Sequence, residues 1–172
     1  MFLNGWKHYS LKSKLQKGIS RPNTKFNKDQ NFGVGILCDS QGFNEEVKLM
    51  HFAERIFSNS ENELFVYSDK KIKTHFSESQ VFSNGDFSLS GKIKNESLSA
   101  FVEKPFKLLI SYYRTENVFL DFVATQSRAI FKTGLATETN LYKDLIIDTD
   151  LKDIDLFENE LLKYLKILNR IE

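Results

Sequence analysis

Phe106-Lys107-Leu108-Leu109-Ile110-Ser111-Tyr112-Tyr113 is the stretch that decides how this chain is read. Pro105 precedes it and Arg114-Thr115-Glu116 follows it. Four of its first five residues are apolar, and nothing in it breaks a strand. A short apolar run bounded by turn signals reads as a strand covered on both faces, as in a parallel sheet between two helical layers. The octet holds no catalytic, metal-binding or phosphate-cradling motif, so it speaks to architecture and not to chemistry.

Working outward, Asn95 suits the cap of a short helix through about Glu103, with Leu98, Phe101 and Val102 facing inward. On the other side Thr115 can cap a helix from Glu116 to about Gln126, buried through Val118, Phe119, Phe122 and Val123. Ala129–Leu135 reads as the next strand, ending at Gly134, and Asp144–Asp148 as a shorter one. The last helix starts at Asp150 or Asp153 and carries Ile154, Phe157, Leu161, Leu165 and Leu168 at three- and four-residue spacing.

Toward the amino terminus, Phe32–Asp39 is the first strand, with Gly33 and Gly35 on one face where another element can approach closely. Asp39-Ser40-Gln41-Gly42 leads into a helix that Asn44 can cap, with Val47, Met50, Ala53, Ile56 and Phe57 as its buried stripe. Leu64–Ser68 is the second strand. Residues 72–94 read as an extended excursion with one or two short strands and a turn at Asn84-Gly85. Strands alternating with helices predict an α/β three-layer sandwich around a largely parallel, Rossmann-like or flavodoxin-like sheet of about five strands.

A chain of 172 residues with 41% hydrophobic residues and sixteen Phe has ample material for one core. The single cysteine, Cys38, excludes an internal disulfide and reads as a small buried hydrophobe. No apolar stretch approaches the roughly 18 residues of a membrane span, and the amino terminus lacks a secretory apolar region. A cytoplasmic protein is expected. The net charge of +1 conceals an asymmetry. Lys7, Lys12, Lys14, Lys17, Arg21, Lys25 and Lys28 make residues 1–28 a basic N-terminal arm without an acid. The other 17 basic residues face all 23 acidic ones, so residues 29–172, the α/β domain, carry a net charge of −6.

Leu11 and Leu15 are four apart, which predicts a short helix from about Trp6 to Lys17 with Gly18 as its C-terminal cap. Interleaved with Trp6, His8 and Tyr9, the basic arm can contact RNA, the ribosome, an acidic protein partner or anionic lipid. Trp6, Lys7, Lys12, Lys14, Lys17 and Arg21 are the residues for that role. The competing reading is a strap whose Phe2, Trp6 and Leu11 cover the domain.

A second candidate site follows from topology, because open α/β sheets bind ligands beyond the carboxyl ends of their strands. Asp39, Ser40 and Gly42 after the first strand, with Ser111, Tyr112 and Arg114 at the end of the organising strand, would share one rim if the strands are neighbours. Hydroxyls, a guanidinium and a carboxylate suit a nucleotide or sugar phosphate. The alternative is structural: Tyr112 packs under the sheet, Tyr113 covers a helix and Arg114 pairs with Glu116. The loop is not Gly-x-Gly-x-x-Gly and has no Gly-Lys-Ser/Thr, so a dinucleotide cofactor is not expected. His75 stands alone, so no metal is expected either. Lys132 is a surface lysine alternating with buried Ile130 and Phe131, or a phosphate contact. His51 is the one partner in sight for Cys38, and no carboxylate pair is plainly driven into an apolar site, so the reading leans away from an enzyme.

Gly91-Lys92-Ile93-Lys94-Asn95, Pro105 through Tyr113, Ser127 through Leu135, Leu141 through Ile147 and Glu160 through Asn169 together resemble the DUF6913 family of short Bacteroidota proteins. Lys107 and Thr133 depart from the family pattern, which counts against a role for either position. The resemblance implies an α/β fold and a cytoplasmic bacterial protein, and it transfers no activity.

Overall fold

The computed structural model describes residues 2–17, 31–41, 45–70 and 80–171, with residues 2–6, 16 and 17 by backbone alone. In chain order these form α1 (Phe2–Lys17), β1 (Phe32–Asp39), α2 (Glu46–Ile56), β2 (Glu61–Tyr67), β3 (Val81–Phe82), α3 (Glu96–Glu103), β4 (Leu108–Tyr112), α4 (Val118–Gln126), β5 (Lys132–Leu135), β6 (Leu145–Ile147) and α5 (Ile154–Ile167). A single 3₁₀ turn, Asn84–Asp86, follows β3. Gly18, Arg21, Lys25, Lys28, Gly42, Asn44, His75 and Phe76 lie outside the described residues, as do the side chains of Phe2, Trp6 and Lys17.

The organising octet forms β4, whose five residues are all buried. It lies between β1 and β5 in a six-stranded sheet ordered β3-β2-β1-β4-β5-β6, and every neighbouring pair is parallel. That order reverses between β1 and β4, the switch point of a doubly wound sheet. Alternation along β4 divides the core into two layers. Leu108, Ile110 and Tyr112 pack with Leu49, Phe52 and Ala53 of α2 and Phe157, Leu161 and Leu165 of α5. Leu109 and Tyr113 pack on the other face with Phe101 of α3, Phe119 and Val123 of α4 and Leu11 of α1. The sheet has six strands where about five were expected; the sixth, two-residue β3, is a short strand of the kind expected within residues 72–94 and adds an edge to the sheet.

Asn95 caps α3 as expected, its Oδ1 accepting from Leu98 N at 3.0 Å. At α4 the cap is Asn117 instead of Thr115, with Oδ1 accepting from Phe119 N and Leu120 N. The buried stripe of α2 is Leu49, Phe52 and Ala53, whereas Val47 is exposed. β5 ends at Leu135 as expected, with Gly134 next to last, and it starts at Lys132 instead of Ala129. Gly35 does admit a close neighbour: a Cβ there would come within 2.8 Å of the Phe106 ring and 3.1 Å of Phe101 Cζ.

Adjacent residues of β5 face opposite constraints. A Cβ on Gly134 would stand 2.3 Å from the Ser111 carbonyl oxygen of β4, which is backbone and cannot swing away. Gly134→Ala is expected to cost about 1–3 kcal/mol by overpacking. Thr133 Oγ1, by contrast, is buried without a hydrogen-bond partner among the described residues. Burying an unpaired hydroxyl costs about 1–3 kcal/mol, so Thr133→Val should stabilise the fold by about 1 kcal/mol. Urea midpoints of the two variants should move in opposite directions.

Candidate functional site

At the switch point β1 and β4 are neighbours, with Cys38 opposite Tyr112, so the sequence-derived rim is assembled in part. Its side chains are already engaged. Asp39 is buried; its Oδ1 accepts from Gln41 N at 2.9 Å and its Oδ2 from Asn117 Nδ2 at 3.4 Å. Ser40 N donates to Tyr67 O. Ser111 is enclosed on the α4 side of the sheet and makes no hydrogen bond of ordinary geometry through Oγ, although Oγ lies close enough to the Tyr142 hydroxyl to influence its titration. Tyr112 points the other way, donates to Leu151 O at 3.0 Å and meets the Phe157 ring edge-on. Arg114 donates to Thr149 O and Asp148 Oδ1 instead of pairing with Glu116. Rings close the α4 side: Tyr67 stacks on Phe119 at 5.6 Å, and His8 of α1 meets the same ring edge-on at 5.1 Å.

A different cluster is more open to chemistry. Tyr113, the last residue of the octet, donates its hydroxyl to Asp121 Oδ1 of α4 at 3.0 Å and lies 2.6 Å from the Tyr142 hydroxyl. Tyr142 reaches the same Oδ1 at 3.3 Å. Two hydroxyl protons serve three oxygen–oxygen contacts, so one contact goes unfilled while Asp121 is ionised. Burial pushes the Asp121 carboxyl up to about 6, against the pull of the two tyrosine hydrogen bonds and the nearby Lys143 charge. Burial lowers Lys143 to about 8, opposed by Asp121. Its ammonium donates to Leu135 O, Thr137 Oγ1 and Asn140 Oδ1, tying the β5–β6 loop together, and sits over the Tyr142 and Tyr113 rings.

Asp121 and Tyr142 form part of the wall of a cavity of about 450 Å³ between α1, α4 and the β5–β6 loop. Its lining is mainly apolar, with His8 and Lys12 contributed by α1 and Glu116 standing before α4. The volume falls within the range of small-molecule sites. Asp121 spends only Oδ1 on the tyrosines, so Oδ2 is an acceptor without a hydrogen-bond partner among the described residues.

The basic residues of α1 take distinct positions. Leu11 is fully buried in the core. Lys7 donates to Asn84 O and Lys14 to Gly91 O, both at 3.1 Å. Lys12 stays exposed, beside the cavity. Elsewhere, Lys132 is buried and donates to Thr125 O. Cys38 is buried with its thiol pushed up by burial, whereas His51 is exposed and pairs with Glu54. No helix among the described residues is long and apolar enough to cross a membrane.

The Asp121 carboxyl has a sign that can be checked. It takes up its proton at about 6 in the fold and near 3.8 in an unfolded chain. The folded chain therefore binds more protons between those values, and the stability this group contributes is complete below about pH 4 and lost as pH rises through 6. The difference corresponds to roughly 3 kcal/mol. Asp121→Asn removes it, so the stability of wild type relative to the variant should fall by roughly that amount between about pH 4 and pH 7. Urea unfolding at several pH values measures the change; a flat difference would mean that the carboxylate is hydrated.

No curated protein and no solved structure matches the chain. One family model does match, over residues 7–168, a span that contains α1 from Lys7, the cavity walls and the whole sheet. The chain belongs to a family of unknown function, DUF6913.

Proposed function

We propose that this chain is a non-catalytic, small-ligand-binding α/β domain whose site is the cavity between α1, α4 and the β5–β6 loop. The observation that carries the reading is the Asp121 carboxylate, held by Tyr113 and Tyr142 through one oxygen and standing in the wall of a mainly apolar space. A convergent polar group in an apolar cavity orients a ligand by one strong contact and holds it by burial elsewhere. The ligand this favours has an apolar body and an ammonium, amide or hydroxyl donor. A nucleotide or sugar phosphate would set its charge against Asp121 and Glu116, with Lys12 and His8 in compensation. A cytoplasmic setting suits the single cysteine, which is buried.

In the alternative reading, the basic residues 1–28 contact RNA, the ribosome or an acidic protein. It ranks lower because Lys7 and Lys14 reach back to the domain and Leu11 belongs to its core.

A thermal-shift panel of small aryl and alkyl amines, amides and alcohols tests the ligand reading. A compound at about 100 times its dissociation constant adds about 2.7 kcal/mol to stability. The shift should vanish in Thr125→Trp, which fills the cavity, and Asp121→Asn should weaken amines more than alcohols. If no compound shifts the midpoint, or Thr125→Trp shifts equally, the cavity is not the site. RNA binding that falls steeply with salt and with Lys12→Gln would favour the arm instead.

A further inference from the structure

The amino-terminal end of the sheet carries a concavity of opposite character. About 800 Å³ in volume, it lies between the carboxyl end of α2, the start of β4 and the carboxyl end of α5. Arg55, Lys107, Lys166 and Arg170 line it together with Ser58 and Ser60, and among the described residues no acid is in the lining. Residues 29–172 carry a net charge of −6, so four cations around one depression run against the composition of their surroundings.

Local pairing accounts for one of the four: Arg55 donates to Glu158 Oε2 at 2.5 Å. Among the described residues Lys107, Lys166 and Arg170 form no ion pair with a carboxylate. Aromatic faces fix two of them without neutralising them. Lys107 Nζ lies 5.2 Å from the Phe57 ring centre, and the Arg170 guanidinium 5.1 Å from that of Phe131. Helix dipoles favour cations at carboxyl ends, which suits Arg55 and Lys166. They do not call for Lys107, at the start of a strand, where this chain departs from its family's pattern, so a role for it belongs to this chain and overrides the expectation drawn from that departure. Nor do they call for Arg170, because α5 is already closed: Asn169 N donates to Lys166 O and Arg170 N to Leu165 O, with Asn169 in the left-handed region at φ 52°.

We propose that this groove binds a compact polyphosphate, a small soluble ligand with two or three linked phosphates. Guanidinium, ammonium and hydroxyl groups match closely spaced phosphate oxygens, and the volume is that of a small-molecule site. A nucleic-acid strand is disfavoured because the Phe57 and Phe131 faces are covered by the two cations, so no ring is open for a base to stack on. The groove and the Asp121 cavity are lined by different residues, so each site stands or falls alone.

Calorimetric titration of the full chain with sodium tripolyphosphate, at low and at high salt, tests the proposal. Saturable binding that weakens with salt is expected. Lys107→Gln with Lys166→Gln, and separately Arg170→Gln, should each lower affinity by at least about tenfold, the loss of one charge-assisted hydrogen bond. Circular dichroism should show both variants folded, and Lys152→Gln, an exposed lysine remote from both cavities, should bind as wild type does. Absent binding, equal affinity across the variants, or capture of a single-stranded RNA oligonucleotide with none of tripolyphosphate would overturn it.

Discussion

β4 is covered on both faces and paired along both edges, and that constraint reaches into every other layer. Burying an aromatic side chain stabilises the fold by about 1.5–3 kcal/mol, while an unpaired buried hydroxyl costs about 1–3 kcal/mol. The two terms are of similar size. A tyrosine at the end of this strand therefore contributes only where another element meets its hydroxyl. Tyr112 is met by the Leu151 carbonyl on one face, and Tyr113 by Asp121 and Tyr142 on the other. The second requirement sets which side of α4 turns inward and holds the β5–β6 loop against it.

Much of this frame is legible in the sequence where the pattern is local. The apolar octet, the strand Phe32–Asp39, the Asn95 cap and the stripe Ile154, Phe157, Leu161 and Leu165 each carry their own signal, although Leu168, expected in that stripe, lies past the end of α5 and is exposed. The parts that escape are decided between elements. Thr115 and Asn117 are both good caps, and Asn117 wins while its Nδ2 reaches Asp39 across the crevice. In α2 the expected stripe is partly met: Ala53 is buried and Met50, Ile56 and Phe57 pack at the edge of the core, while Leu49 and Phe52 take its centre in place of exposed Val47. Gly134 marks the end of its strand as read, but the reason it must be glycine, the close approach of β4, is not in the sequence.

The site is less legible, for a related reason. Asp39 and the end of β4 do come together, but the carboxylate is absorbed by Gln41 N and Asn117, and Arg114 turns toward residues 148–150. The cavity is built from residues 8–15, 116–125 and 139–142, segments that share no motif. One signal was present. Asp121 stands alone in Val118-Phe119-Leu120-Asp121-Phe122-Val123, and an acid inside an apolar run must find donors or shift its pKa. Tyr142-Lys143 lies only 21 residues on from Asp121 to Tyr142, but no spacing rule joins a helix to the loop after the next strand.

α1 plays two parts at once. Leu11 fills the core, with Leu15 packed against it, while His8, Tyr9 and Lys12 form one side of the cavity. Its other described ties are an edge-on ring contact and two lysine-to-carbonyl hydrogen bonds, each worth about 1 kcal/mol. Among the described side chains of α1 one leucine is fully buried, whereas β4 would have to leave two layers and two neighbours to come free. Whatever fills the cavity adds contacts to the docked helix that the undocked chain lacks. Occupancy and docking are therefore one linked equilibrium, in which each favours the other by the same free energy.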